Sequence, residues 1–137
     1  LRNASSLIGE KLSWEPACRK IEAVASRGPG NVVLLEVESE HVSEVFAGFG
    51  ERGVRAETVA EQVVLAARRY LASDVAVGEH LADQLLLPMT LAKGGVFTTL
   101  PPSRHTLTGI HTIGRFLSTK IQVSSDSNRA CTVEIVV

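Results

Sequence analysis

The sequence predicts an α/β or α+β protein whose elements pack in layers on one sheet, and three features predict it. Segments with helical apolar spacing alternate with short β-branched runs. Turn signals punctuate them at Gly28-Pro29-Gly30-Asn31, Gly94-Gly95 and Ser125-Asp126-Ser127-Asn128. The last of these turns joins two strand-like runs as a hairpin. A chain of 137 residues, 45% of them hydrophobic, can bury a core of its own.

Taken in order, residues 13–27 are expected to form a helix. Ser13 stands at its cap, and Cys18, Ile21 and Val24/Ala25 supply the apolar spacing. Residues 32–37 read as a strand, apolar on both faces and then alternating; a second strand is expected over 45–50. The next helix opens at Thr58, which forms a capping-box pair with Glu61. Val59, Val63, Ala66/Ala67 and Tyr70 give it an apolar stripe, and Arg68 and Arg69 complement its dipole. A third helix is expected over 77–92, kinked or broken at Pro88, whose ring meets the carbonyl of Gln84. A strand at 96–100, a helix at 103–117 and strands at 120–124 and 130–137 complete the chain.

The formal net charge of −1 argues against a general nucleic-acid binder, so any contact with RNA or phosphate must be local. Cys18 and Cys131 lack metal-ligand spacing and are expected to be buried thiols in a reducing compartment. No apolar run reaches spanning length, and no signal peptide is visible at the start. A start at Leu1 without methionine is compatible with a piece cut from a longer protein.

Two polar faces stand out. On the helix from Ser103, the residues Leu107, Ile110, Ile113, Gly114 and Leu117 share the expected core side, while His105, Thr108, Thr112 and Arg115 face away. His105 lies in the first turn, where free N–H groups attract anions and disfavour imidazolium; a neutral ring is a nucleophile. Taken alone, an exposed first-turn histidine is an ordinary surface residue, as His41 and His111 are expected to be. On the preceding helix, His80, Asp83, Gln84 and Leu87 align and suit a nucleoside by stacking and hydrogen bonds, or else form a solvated face. His80 and Asp83 supply two potential zinc ligands, and nothing local completes a set.

The segment GEHLADQLLLPM (residues 78–89) resembles the nucleotide-contacting segment of RNA 3′-terminal phosphate cyclases, and SRHTLT (103–108) resembles the segment bearing that family's catalytic histidine. GPGNVVLLEVESE (28–40) and RRYLAS (68–73) also fit bacterial and archaeal members. Some relatives carry tyrosine where His80 stands, and Gly109 occupies the place of an expected asparagine. The likeness covers nearly the whole chain and is weakest over 1–27 and the last ten or so residues.

The resemblance implies a longer protein of three related α/β units, each with two helices on a four-stranded sheet, plus a small inserted domain. For this chain it implies an α+β fold of two or three helices packed on a four-stranded sheet, with part of that insert. Residues 1–48 would be the later part of that insert and 49–137 the final unit. It implies a cytoplasmic ligase that uses ATP and Mg2+ or Mn2+ to convert an RNA 3′-phosphate end to a 2′,3′-cyclic phosphate through a histidine–AMP intermediate. His105 would be the nucleophile through Nε2, and His80, Leu81, Ala82, Asp83 and Gln84 would contact ATP. The metal-binding and amino-terminal phosphate-binding residues would lie outside this chain. A unit parted from its neighbours would bare surfaces and self-associate, and would be weakly active or inactive alone. Two other readings stay open: a non-catalytic cyclase-like scaffold for RNA or ribosome assembly, and a small interaction domain whose polar faces are merely wet.

Overall fold

The structure is a computed structural model and describes residues 2–125 and 129–136, with side chains from residue 4 onward. In chain order the elements are α1 (Arg2–Leu12), a 3-10 turn (Pro16–Cys18), β1 (Val32–Glu38), β2 (Ser43–Phe49), α2 (Ala56–Leu71), α3 (Glu79–Leu91), β3 (Gly95–Thr99), α4 (Arg104–Phe116), β4 (Lys120–Ser125) and β5 (Cys131–Val136). They fall into two compact units, one of residues 1–39 and 45–69, the other of residues 40–44 and 70–137. The mixed α+β class matches the expectation.

In the first unit, α1 buries Ala4 and Ile8 and stops at Ser13. Ser13 adopts a left-handed φ of 56°, its N–H donates to the Glu10 carbonyl, and the Trp14 N–H donates to that of Gly9. These paired bonds are a helix-ending motif, so Ser13 closes a helix rather than opening one. The helix expected over 13–27 is absent. After the 3-10 turn, Arg19 is extended, and Ile21 and Val24 are exposed. Their stripe has no surface to bury against, and a short helix without such a surface is marginal in water.

Strands β1 and β2 pair with each other as a two-stranded sheet. Gly48 permits β2 to approach α2: a Cβ there would lie 2.8 Å from Val59 Cγ1. Helix α2 begins at Ala56, with the Thr58 and Val59 N–H groups both donating to the Arg55 carbonyl. Thr58 therefore sits inside the first turn and is not the cap. The buried stripe is Val59, Ala60, Val63, Val64 and Ala67, whereas Ala66 is exposed.

In the second unit the sheet order is β3-β5-β4, antiparallel throughout. Among the described residues this sheet has three strands rather than four, because β2 pairs with β1; a single parallel bridge links Val77 to Thr99. The apolar alternation at the end of the chain makes β5 the central strand, and residues 126–128 of the expected hairpin turn lie outside the described residues. Leu86 of α3 with Val133 and Ile135 of β5 forms the core, joined by Met89, Phe97, Ile110, Ile113 and Ile121. Each such buried aliphatic contributes about 1.5–3 kcal/mol.

Helix α3 continues through Pro88 without a break. Its bonding loss falls in the last turn, where Leu86 and Met89 anchor either side and the buried Thr90 hydroxyl donates to the Leu86 carbonyl at 2.7 Å. On α4 the packed side is rotated from the expected one. Thr106 is buried and Ile110 and Ile113 reach the core, while Leu107 and Gly114 are exposed. Both cysteines are free; Cys131 is buried, but Cys18 is exposed, contrary to expectation. Among the described residues no helix is long and apolar enough to cross a membrane.

The chain's one tyrosine, Tyr70, donates to the Ala76 carbonyl at 3.2 Å. Partial burial, and secondarily the Glu44 carboxylate, push its phenol above the ordinary value of 10.0. A raised folded pKa means the contribution is complete below the unfolded value and is lost as pH rises through the folded one. Thermal midpoints measured from about pH 8 to about pH 11 should therefore fall more steeply for the parent chain than for Tyr70→Phe. Equal alkaline slopes would contradict this assignment.

Candidate active site

Strand β3 ends where two helices begin. The Val77 N–H donates to the Thr98 carbonyl at 3.1 Å, and the Ala76 N–H to Thr98 Oγ1 at 3.0 Å. The Thr99 hydroxyl donates to the Gly78 carbonyl at 3.5 Å, so the N-terminus of α3 is tied to the last residues of β3. After buried Leu100, Pro101 and Pro102 lack the N–H needed to extend a ladder, and the chain turns into α4 at Ser103.

Ser103 caps α4 as the sequence suggests. Its Oγ accepts from the Thr106 N–H at 3.1 Å and lies 2.9 Å from the Thr106 hydroxyl. Thr106 is thereby drawn inward, only 1% exposed, and the preceding residue, His105, is turned outward with 84% of its side chain exposed. Gly109, one turn further on, faces α3: a Cβ there would meet Asp83 Oδ1 and Leu86 Cδ1, each at 3.5 Å. Helix α4 thus brings His105 within 2.9 Å of Asp83, Nδ1 to Oδ2.

A carboxylate accepts, so at this distance a proton-bearing Nδ1 can donate to Asp83. These side chains, with Glu79, His80 and Ser103, line an open cleft of about 340 Å³. The N–H groups of Arg104 and His105, at the start of α4, have no partner within their helix and form an anion-attracting end. Glu79 and Asp83 oppose that attraction with two carboxylates on α3.

Of the residues singled out from the sequence, His80, Asp83 and His105 come together. Ala82 is buried at 2% exposure, Leu81 is half-buried and Gln84 is exposed; none of these three lines the cleft. Leu87, on the face assigned to His80 and Asp83, is likewise exposed and outside it. Sequence reasoning missed Glu79, although it stands one turn before Asp83. His41 lies 3.7 Å from Glu40 and His111 is exposed, as expected of surface residues.

Among the described residues no three His, Cys, Asp or Glu side chains converge as a metal site. Asp83 is also engaged by His105. The donor set here therefore does not fit a complete Mg2+ or Mn2+ site.

A mixed α+β unit that presents a carboxylate-held imidazole at a helix mouth has the parts of a nucleophile and its orienting group. The sequence profile of RNA 3′-terminal phosphate cyclases matches residues 11–123, and the chain belongs to that family. It is 45% identical over 129 residues to the RNA 3′-terminal phosphate cyclase of Ectopseudomonas mendocina (strain ymp), covering 93% of this chain and 38% of the relative. The namesake from Ralstonia nicotianae (strain ATCC BAA-1114 / GMI1000) is 48% identical over 125 residues, 80% of this chain and 36% of the relative. That of Salmonella enteritidis PT4 (strain P125109) is 58% identical over 90 residues, 66% of this chain and 26% of the relative. The chain spans less than two fifths of the length of these relatives.

Replacing the α4 cap tests how the site is built. Ser103→Ala should lower unfolding free energy by about 1 kcal/mol in urea melts, and Ser103→Asp should restore most of it. No loss in Ser103→Ala would mean that Thr106 and His105 are held by other contacts.

Proposed function

We propose that this chain carries the nucleophile of an RNA 3′-terminal phosphate cyclase. The reaction is ATP-dependent conversion of an RNA 3′-phosphate end to a 2′,3′-cyclic phosphate. The observation that carries this reading is the 2.9 Å Asp83–His105 contact in an open cleft, within a chain of this family.

In the first step the Nε2 lone pair of His105 attacks the α-phosphorus of ATP. The P–N bond forms as the bond to the bridging oxygen breaks, and pyrophosphate leaves. Asp83 retains the Nδ1 proton in its hydrogen bond and stabilises the positive charge that develops on the ring, the role of the carboxylate in a nucleophile–orienter pair. Next, an oxygen of the RNA 3′-phosphate attacks the AMP phosphorus, the P–N bond breaks, and the electron pair returns to Nε2. Finally the 2′-hydroxyl attacks the activated 3′-phosphorus, loses its proton and expels AMP. Splitting the reaction in this way supplies a leaving group that direct cyclisation lacks.

Of the 80–84 segment, His80 and Asp83 have side chains that line the cleft, and these would meet the nucleotide. Leu81, Ala82 and Gln84 would act through backbone or packing. The N–H groups that open α4 would donate to phosphate oxygens and offset part of their charge. Residues 1–48 are assigned to the later part of the family's inserted domain and 49–137 to the final unit. Other units of the same protein would then supply the metal ligands and the remaining phosphate contacts, and ATP use suits a cytoplasmic setting.

Full-length protein incubated with ATP labelled on the α-phosphate, plus Mg2+ or Mn2+, should acquire acid-labile, alkali-stable label. The label should vanish in His105→Ala, and its rate of formation should fall by roughly 10²–10⁴-fold in Asp83→Asn. Label that persists in His105→Ala would contradict the assignment. No label on the intact protein would favour the scaffold reading.

A further inference from the structure

The residue that opens α3 is bonded by a side chain from elsewhere in the chain. Its N-cap residue, Gly78, has no side chain to accept a backbone N–H, and the helix makes no side-chain cap of its own. Helices normally solve this with a local Ser, Thr, Asp or Asn. Here the carboxylate of Glu44, 34 residues earlier, takes the donor that a capping-box glutamate would take: Glu44 Oε1 accepts the Gly78 N–H. Residues 40–44 belong to the same compact unit as α3 and α4.

Glu44 is only 3% exposed. Burying a carboxylate is costly unless hydrogen bonds and favourable charge compensate. A helix N-terminus offers both, through its free N–H groups and the positive end of its dipole. Glycine at 78 leaves the space: a Cβ there would lie 3.0 Å from Glu44 Oε2 and 3.2 Å from its Cδ. The carboxylate sits against the start of the helix that carries His80 two residues later and Asp83 five residues later.

We propose that Glu44 is a positioning residue for the Asp83–His105 pair. It holds the start of α3 in place, so that Asp83 Oδ2 stays within hydrogen-bond reach of His105 Nδ1. The proposal rests on the reading of His105 as the nucleophile, and its test separates the two.

In full-length protein, nitrogen-15 NMR reports which ring nitrogen of His105 bears the proton, with no reaction required. The unaltered protein should show the proton on Nδ1 and a downfield, slowly exchanging Gly78 amide. Glu44→Ala removes the acceptor, and Gly78→Ala displaces it. Both should shift His105 toward the Nε2-protonated form and slow histidine–AMP formation by about 10–100-fold, with kcat changed more than KM for ATP. Glu44→Gln keeps an acceptor oxygen and should recover most of the rate and the Nδ1 proton.

A folded Glu44→Ala protein with unchanged tautomer and rate would overturn the proposal. If that variant does not fold, Gly78→Ala decides on the same readouts. An ordinary, rapidly exchanging Gly78 amide in the unaltered protein would overturn the proposal without any substitution. Should the unaltered protein form no adenylate, the assignment of the reaction fails, while the ring-proton measurement still decides the role of Glu44.

Discussion

One contact, His105 Nδ1 to Asp83 Oδ2 at 2.9 Å, joins the two helices at the cleft, and the second unit is built so that it can form. Two helices must begin at the same end of β3, and each must have its first turn fixed. Helix α4 is fixed locally, by Ser103 and Thr106 on either side of His105. Helix α3 is held by Thr98, Thr99 and the remote Glu44. Gly109 faces the neighbouring helix beside Asp83 and Leu86, where a Cβ would make ordinary contact at 3.5 Å. An imidazole without the Asp83 partner would be free to place its proton on either nitrogen.

Much of this unit was legible in the sequence because its signals are local. The strand at β3, the two prolines, the Ser103 cap and the periodicity of α3 and α4 all rest on near neighbours. The errors arise where one local signal competes with another or with packing. Ser13 looks like a cap, yet the chain before it already forms a helix that Ala4 and Ile8 bury. Thr58 and Glu61 have capping-box spacing, but the helix starts at Ala56 because Arg55 accepts its first bonds. Leu107 was placed in the core by the period of α4. Ser103 instead draws Thr106 inward and rotates the packed side. Of the candidate site, His80, Asp83 and His105 were readable from spacing and resemblance. The Glu44 contact was not, because nothing local links residues 44 and 78.

The charge of the cleft explains why these residues would need partners from elsewhere. Glu79 and Asp83 line it, and no Lys or Arg is among its lining side chains. The triphosphate of ATP would be repelled by such a pair unless cations or N–H groups from other segments surrounded it. The helix mouth supplies part of that field. This chain spans less than two fifths of the length of its relatives, which leaves room for the remainder to come from their other units. On the proposed reading, this unit would provide an oriented nucleophile and other units of the same protein would provide phosphate charge.

The central claim concerns which nitrogen reacts. Trapping the adenylated full-length protein and measuring nitrogen–phosphorus couplings in the His105 ring would identify the bonded atom directly. An adduct on Nε2, with the Nδ1 proton retained toward Asp83, is the predicted result. An adduct on Nδ1, or on any residue other than His105, would contradict the account.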